Sequence, residues 1–141
     1  MLQKDHTLFL WEPTGPGSKP IKRMTGHQRP INFVKFSPDG RWIVSCAFDK
    51  TARVWNRSGG FVAVLRGHVG PVFRCAWSPD SRMVVTASED STLKLWETRD
   101  LSRVSRDLPG HEGAVFAVDW APTGSVVASG GADKMLKIWR R

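Results

Sequence analysis

Three Gly-His pairs divide this sequence into units of nearly constant length. The pairs lie 41 and 43 residues apart, at Gly26-His27, Gly67-His68 and Gly110-His111. A period of this size is typical of repeat architectures, in which each unit is one small supersecondary structure that needs its neighbours. The repeat therefore limits the chain to folds in which similar units stack side by side.

Three further residue types keep fixed positions within every unit. An aspartate follows the histidine by 22 residues, a serine or threonine precedes that aspartate by four, and a tryptophan follows it by six. The residues in this pattern are His27, Ser45, Asp49 and Trp55; His68, Thr86, Asp90 and Trp96; and His111, Ser129, Asp133 and Trp139. Changes of length fall only between a tryptophan and the next Gly-His pair, which indicates surface loops there.

Alternating apolar residues predict four strands in each unit. First strands are expected near residues 31–36, 72–77 and 115–120, and second strands near 42–47, 83–88 and 125–130. A third strand ends on the tryptophan, and weaker fourth strands run near 19–24, 61–65 and 103–108. Apolar residues at i, i+3 and i+5 of the first strand fit one face only if a β-bulge adds a residue. Four-stranded units of this length predict an all-β propeller.

We expect a single partial propeller over residues 1–141, with roughly three and a quarter blades of antiparallel sheet. Residues 1–25 would be the end of a truncated repeat, since the aspartate-to-tryptophan step recurs once more from Asp5 to Trp11. Residues 26–66 and 67–109 would be complete repeats, and 110–141 a C-terminal repeat that lacks its outer strand. Such an open ring predicts a piece of a longer parent, and an isolated chain that aggregates, stays partly disordered or self-associates.

Over its whole length the chain resembles the WD-repeat propellers, although the residue after each tryptophan is never aspartate. A narrower resemblance is to the C-terminal blades of the Notchless family, carried by TLFLW at 7–11, MTGHQ at 24–28, LRGHV at 65–69, DLPGH at 107–111, VDW at 118–120 and IWRR at 138–141. That resemblance implies a nucleolar factor in large ribosomal subunit assembly. The family's N-terminal ubiquitin-like domain has no match in this sequence, so its activity is not carried over.

The recurring histidine, hydroxyl and aspartate have the residue types of a catalytic triad. An enzyme needs one such set, whereas this chain repeats it in every unit. A structural network from indole to hydroxyl to imidazole to carboxylate explains the repetition, because buried polar groups need hydrogen-bond partners. We therefore expect no enzyme activity, no catalytic or metal site and no cofactor. Cys46 and Cys75 lie in apolar runs without CxxC spacing and are expected to be buried free thiols.

In the WD-repeat propellers that the chain resembles, the loop before the first strand and the turn with the aspartate face one side, and the resemblance implies that partners bind there. The candidates there are Asn32, Phe48, Phe73, Glu89 and Phe116. Packing of the aromatic side chains between blades is the alternative explanation for them.

Positive charge is concentrated early in the sequence, where residues 1–60 carry ten basic and four acidic side chains out of a formal net charge of +8. This excess adds Lys22, Arg23 and Arg29 as candidates for contact with ribosomal RNA, although a solvated basic face explains it equally well.

The sequence thus predicts a non-catalytic scaffold that binds proteins of a large assembly, by resemblance a pre-ribosomal particle in the nucleus or nucleolus. An adaptor in a ubiquitin-ligase or signalling complex is the alternative, and a propeller hydrolase is a more distant one. No apolar run of about 18 residues and no secretory leader is present, so we expect a location in the nucleus or otherwise the cytoplasm, without a membrane partner.

Overall fold

A computed structural model of the protein describes residues 6–14, 17 and 19–140. Asp5, which begins the additional aspartate-to-tryptophan step, lies outside the described residues. The described part of the chain contains strands, turns and bends, and none of it forms a helix that could span a membrane. The strands are β1 (Leu8–Leu10), β2 (Lys22–Met24), β3 (Ile31–Phe36), β4 (Trp42–Ala47), β5 (Ala52–Asn56), β6 (Phe61–Leu65), β7 (Val72–Trp77), β8 (Met83–Ser88), β9 (Leu93–Glu97), β10 (Arg106–Leu108), β11 (Val115–Trp120), β12 (Val126–Gly131) and β13 (Leu136–Arg140).

These strands form four separate antiparallel sheets in chain order. Sheet I pairs β1 with β2, sheet II has the order β3-β4-β5-β6, sheet III the order β7-β8-β9-β10, and sheet IV the order β11-β12-β13. Each strand pairs with the strand that follows it in its own sheet, so every sheet is a simple meander. The fold is a partial β-propeller, as the repeat predicts.

Most of the predicted strand positions coincide with the observed ones, and the differences are small. The third strands continue one residue beyond each tryptophan, and β12 begins and ends one residue later than expected. The prediction for 103–108 is too long, because residues before Arg106 form side-chain-stabilised turns instead. In those turns the Ser102 hydroxyl and amide donate to the Asp100 carboxylate, and the Ser105 hydroxyl donates to Glu97. β2 is likewise shorter than the predicted 19–24.

The first strand of each complete unit contains the expected β-bulge. The pairing register shifts between Ile31 and Phe33 in β3, and equivalent shifts occur near the start of β7 and β11. The additional residue at each shift stands outside the pairing ladder, which frees its side chain from the alternation of the sheet. These bulge residues are Asn32, Phe73 and Phe116.

Apolar side chains fill the space between successive sheets. Sheets II and III share one cluster that includes Val54, Leu65, Val72 and Trp96, all of them almost completely buried. A second cluster joins sheets III and IV, and a smaller one around Met24 joins sheets I and II. Sheets II and III each pack against a sheet on both sides, so the polar residues at their centres are enclosed by their neighbours.

Candidate functional site

The four residues repeated in each unit lie within hydrogen-bonding distance of one another. In sheet II the Trp55 indole N–H donates to the Ser45 hydroxyl at 3.0 Å, and that hydroxyl lies 2.8 Å from Nε2 of His27. The Nδ1 atom of His27 is 2.8 Å from the Asp49 carboxylate. The second strand supplies the hydroxyl, the third supplies the indole, and the two loops at one end of the sheet supply the imidazole and the carboxylate.

The same geometry recurs in the two following sheets. In sheet III the His68–Asp90 and His68–Thr86 distances are 2.8 and 2.7 Å, and the Trp96 indole lies 3.0 Å from Thr86. In sheet IV the corresponding bonds are His111 to Asp133, His111 to Ser129 and Trp139 to Ser129, at 2.9, 2.8 and 2.8 Å.

A glycine precedes each histidine for a local steric reason. Gly26 has a φ of +146° and Gly110 a φ of +148°, a region that residues with a side chain rarely adopt. A Cβ atom on Gly26 would in addition lie 2.5 Å from the guanidinium of Arg53. The backbone that leads into these histidines therefore has a conformation that favours glycine.

Burial favours the neutral form of two of the imidazoles, those of His27 and His68. Desolvation lowers the pKa of His27 and of His68, even though the neighbouring carboxylate of Asp49 or Asp90 acts in the opposite direction. A neutral imidazole with its proton on Nδ1 satisfies the whole chain of bonds, since Nδ1–H donates to the carboxylate and Nε2 accepts from the hydroxyl. Burial would raise the pKa of Asp49, but hydrogen bonds from Thr51 and His27 outweigh it and hold that pKa below its usual value.

The sequence pattern does not single out two threonines that complete the carboxylate's bonds. Thr51 donates its hydroxyl and its amide N–H to Asp49, at 2.6 and 3.0 Å, and Thr92 does the same for Asp90. An aspartate followed two residues later by threonine is a local turn signal, and both units contain it. The third unit has Met135 at this position, which supplies only its backbone N–H.

The network has the residue types of a hydrolytic triad but not its accessibility. Ser45 and Thr86 are 0% exposed and Ser129 is 1% exposed, so no substrate carbonyl can reach their oxygens. Each of these oxygens already accepts an indole N–H, which lowers its availability as a nucleophile. Among the described residues, no group of three or more histidine, cysteine, aspartate or glutamate side chains is placed to hold a metal ion.

Three phenylalanines from three successive sheets form a continuous row at the end of the sheets that carries the Gly-His loops. Phe48 lies edge-on to Phe73 with ring centroids 6.2 Å apart, and Phe73 contacts Phe116 at 5.3 Å. Phe48 is 41% exposed and Phe116 is 52% exposed, whereas Phe73 between them is half-buried. This phenylalanine row both packs across the sheets and presents apolar surface to solvent.

Asn32 and Glu89, the other two residues expected near this face, have different surroundings. The side-chain amide of Asn32 donates to the backbone carbonyl of Val72 at 2.9 Å and so links sheet II to sheet III. Glu89 is exposed, and its backbone N–H donates to the carbonyl of Pro71. The side chain of Glu89 is therefore exposed at the same end of the sheets as the phenylalanine row, while that of Asn32 has an internal partner.

The basic candidates Lys22, Arg23 and Arg29 are all exposed but do not share one face. Lys22 and Arg23 are consecutive residues of β2, so their side chains leave the strand in opposite directions. The Lys22 stem lies against Gly59, in the turn between β5 and β6, whereas Arg29 follows His27 in the loop at the other end of the sheets.

Sequence comparison identifies relatives over parts of the chain. The chain is 56% identical over 63 residues to the Notchless protein homolog of Arabidopsis thaliana. This match covers 44% of the chain and 13% of that protein. It is 53% identical over 60 residues to Ribosome assembly protein 4 of Saccharomyces cerevisiae, covering 42% of this chain and 12% of that protein. A further match, 44% identical over 50 residues, is WD40 repeat-containing protein HOS15 of Arabidopsis thaliana, covering 35% of this chain and 8% of that protein. The matched regions thus span about an eighth of these relatives or less.

The family described as WD domain, G-beta repeat matches three consecutive segments, residues 18–56, 59–97 and 102–140. Each matched segment ends one residue after a closing tryptophan and contains one complete hydrogen-bond network. The matches cover most of the chain and agree with the four-sheet architecture. The chain belongs to the WD40 repeat family.

Proposed function

We propose that this chain is a non-catalytic scaffold that binds proteins of a pre-ribosomal particle during assembly of the large ribosomal subunit. The observation that carries the proposal is its identity of more than half, over about 60 residues, with proteins named for Notchless and for ribosome assembly. WD40 repeats act in general as rigid platforms for protein interactions, and the buried hydroxyls argue against a catalytic role. On this proposal the chain works in the nucleolus.

The phenylalanine row is the binding surface that we assign to this scaffold. Interfaces are enriched in aromatic side chains at their centres, surrounded by polar groups that exclude water. Phe48 and Phe116 offer exposed ring surface, and Phe73 fixes their separation through its two ring contacts. The exposed Glu89 adds a charge at the rim, which favours a partner segment that combines an apolar side chain with a basic one.

Ribosomal RNA is a second, weaker part of the proposal. The net charge of +8 favours a polyanionic neighbour. Because Lys22 and Arg29 lie at opposite ends of the sheets, they would contact phosphates separately and not as one cluster. Reversal of Lys22 and Arg23 to glutamate should weaken particle association most at low salt, since phosphate contacts depend on counterion release.

A co-purification experiment tests the scaffold role. The tagged chain is expressed in eukaryotic cells, and its co-purifying proteins and RNAs are identified for the wild type and for the variants Phe48→Ala and Phe116→Ala. We expect large-subunit precursors with the wild type and a loss of at least several-fold with either variant. Phe36→Ala is the matched control, since Phe36 is also 52% exposed but lies on β3 away from the row.

Two results would contradict the proposal. Co-purification of ubiquitin-ligase or signalling components in place of ribosomal ones would favour the adaptor function instead. Equal loss in the Phe36→Ala control would show that the phenylalanine row has no special part in binding.

A further inference from the structure

The third strand of both four-stranded sheets carries a basic residue four positions after the network aspartate, and the surroundings of that residue differ. In sheet III, Lys94 stands opposite Asp107 of β10 and forms an ion pair with its carboxylate. The Lys94 side chain is thereby paired and largely covered, with 13% of it exposed. In sheet II the equivalent residue is Arg53, and Val64 of β6 stands opposite it. Sheet II therefore has the cation of this cross-strand pair without its carboxylate.

The guanidinium of Arg53 has packing contacts, but its Nε atom has no hydrogen-bond partner. The Cζ atom lies 5.6 Å from the centroid of the Phe61 ring, and the Nη1 atom packs against Gly26. The Nε atom is buried, and none of the residues that the structure describes accepts a hydrogen bond from it. An unsatisfied buried N–H group is rare in folded proteins. The residue as a whole is half-buried, so a partner can reach part of the guanidinium.

The charged groups around Arg53 leave its positive charge incompletely balanced. Burial lowers the pKa of Arg53, Asp49 acts in the opposite direction, and Arg66 lowers the pKa again. The Asp49 carboxylate is already engaged, because it accepts the hydrogen bonds of its own network and turn. Arg66 directly follows β6 and is exposed. Arg53 and Arg66 thus form a small basic site beside the outer strand of sheet II.

We propose that the basic site formed by Arg53 and Arg66 binds an aspartate or glutamate side chain of another protein. The partner's carboxylate takes the place at Arg53 that Asp107 has at Lys94 within the chain. A guanidinium can hold a carboxylate through two parallel N–H···O bonds, which are stronger than bonds between neutral groups. An apolar side chain of the same partner packs on the neighbouring Phe61 ring. This site is separate from the phenylalanine row and does not depend on the ribosomal role.

The surroundings of Arg53 favour a protein carboxylate over an RNA phosphate. Phe61 is 55% exposed beside the guanidinium, and aromatic residues and arginine are together enriched in the centres of protein interfaces. Asp49 is close enough to act on Arg53, and its negative charge opposes a run of phosphates more than it opposes a single carboxylate. The ion pair of Lys94 with Asp107 shows that a carboxylate fits this position of the repeat.

An aspartate built into the chain tests whether a carboxylate fits beside Arg53. Val64→Asp places the carboxylate directly opposite Arg53, as Asp107 is opposite Lys94, and Val64→Asn is the uncharged control of nearly equal size. Denaturant unfolding should give the aspartate variant a folding equilibrium constant about two- to five-fold above that of the asparagine variant. This difference should vanish when both variants also carry Arg53→Gln, because the pair then has only one charge.

Carbodiimide cross-linking tests whether a partner's carboxylate occupies the site, since this reagent joins an amine only to a carboxylate in contact with it. The variant Arg53→Lys supplies the amine and has the residue type that sheet III has at this position. The tagged variant is purified from eukaryotic cells with its bound proteins, cross-linked and analysed by mass spectrometry.

We expect the introduced amine at position 53 to be linked to an aspartate or glutamate of a second protein. Addition of Val64→Asp should reduce this link several-fold, because the new carboxylate competes for the amine. Arg57→Lys, in the exposed turn after β5, is the matched control and should give a several-fold weaker link to other proteins. The link between Lys94 and Asp107 within the chain shows that the reaction has worked.

Three outcomes would overturn the proposal. The first is equal unfolding of the aspartate and asparagine variants while Arg53 is intact. The second is an amine at position 53 that is linked only to Asp49, or to nothing, although Lys94 and Asp107 are linked. The third is RNA that co-purifies with the wild type and is lost with Arg53→Gln, without any protein link at position 53. The cross-link requires no change at Val64, so it decides the question even where Val64→Asp does not fold.

Discussion

Replacing Asp90 by alanine should destabilise the fold more than the same replacement of an exposed aspartate or glutamate does. Asp90 accepts bonds from His68 Nδ1, the Val69 N–H, and the amide and hydroxyl of Thr92. The His68 side chain is only 1% exposed, so water cannot replace its lost partner. An orphaned buried donor costs about 1–3 kcal/mol, and loss of the Thr92 bonds adds about 1 kcal/mol, which gives roughly 2–4 kcal/mol in total.

Chemical denaturation of the wild type and of Asp90→Ala measures this difference as a change in the free energy of unfolding. Asp107→Ala is the matched control in the same sheet, because Asp107 is 57% exposed and its ion pair with Lys94 lies at the surface. A surface pair contributes about 0–1 kcal/mol. If the two variants unfold with the same free energy, the network does not stabilise the fold as argued.

Three other outcomes follow from the same geometry. No esterase or peptidase activity should depend on the network hydroxyls, and a purified variant that lacks one of them, stays folded and loses turnover would refute this. Because burial lowers the pKa of His27 and His68 in the folded state, the unfolded chain binds protons at a higher pH than the folded chain does. The free energy of unfolding should therefore fall as the pH drops below about 6.5. Denaturant melts at a series of pH values measure this, and a rise in stability over that range would contradict it. Cys46 and Cys75 are buried, and burial raises the pKa of Cys46, so both thiols should resist alkylation in the native protein and react in denaturant, as mass spectrometry can verify.

Spacing predicted the fold well because a repeat imposes the same register on every unit. The number of residues from histidine to aspartate, and from aspartate to tryptophan, is the same in every unit. The two loops and the third strand therefore had to be placed alike in each sheet. The bulge was predictable for a related reason, since Val72, Cys75 and Trp77 can share one face of β7 only if an additional residue is inserted. The order of bonds from indole to carboxylate then follows from the donors and acceptors of the four groups.

Other features depend on side-chain directions that the spacing does not contain. The strand predicted near 103–108 begins only at Arg106, because serines and acidic residues just before it bond locally and form turns instead. The aromatic candidates could either pack between sheets or face solvent, and Phe73 does the first while Phe116 does the second.

The bulges at the start of the first strands have a consequence for how such a protein can change over time. Since the inserted residue takes no part in strand pairing, its identity can alter without a shift of the apolar residues beneath it. The three positions hold one asparagine and two phenylalanines, while the network around them remains nearly the same in each unit. A substitution at a bulge position therefore changes the surface at the loop end of one repeat and keeps the strand register of its sheet, whereas at Asn32 it also removes the hydrogen bond to Val72 that links two sheets.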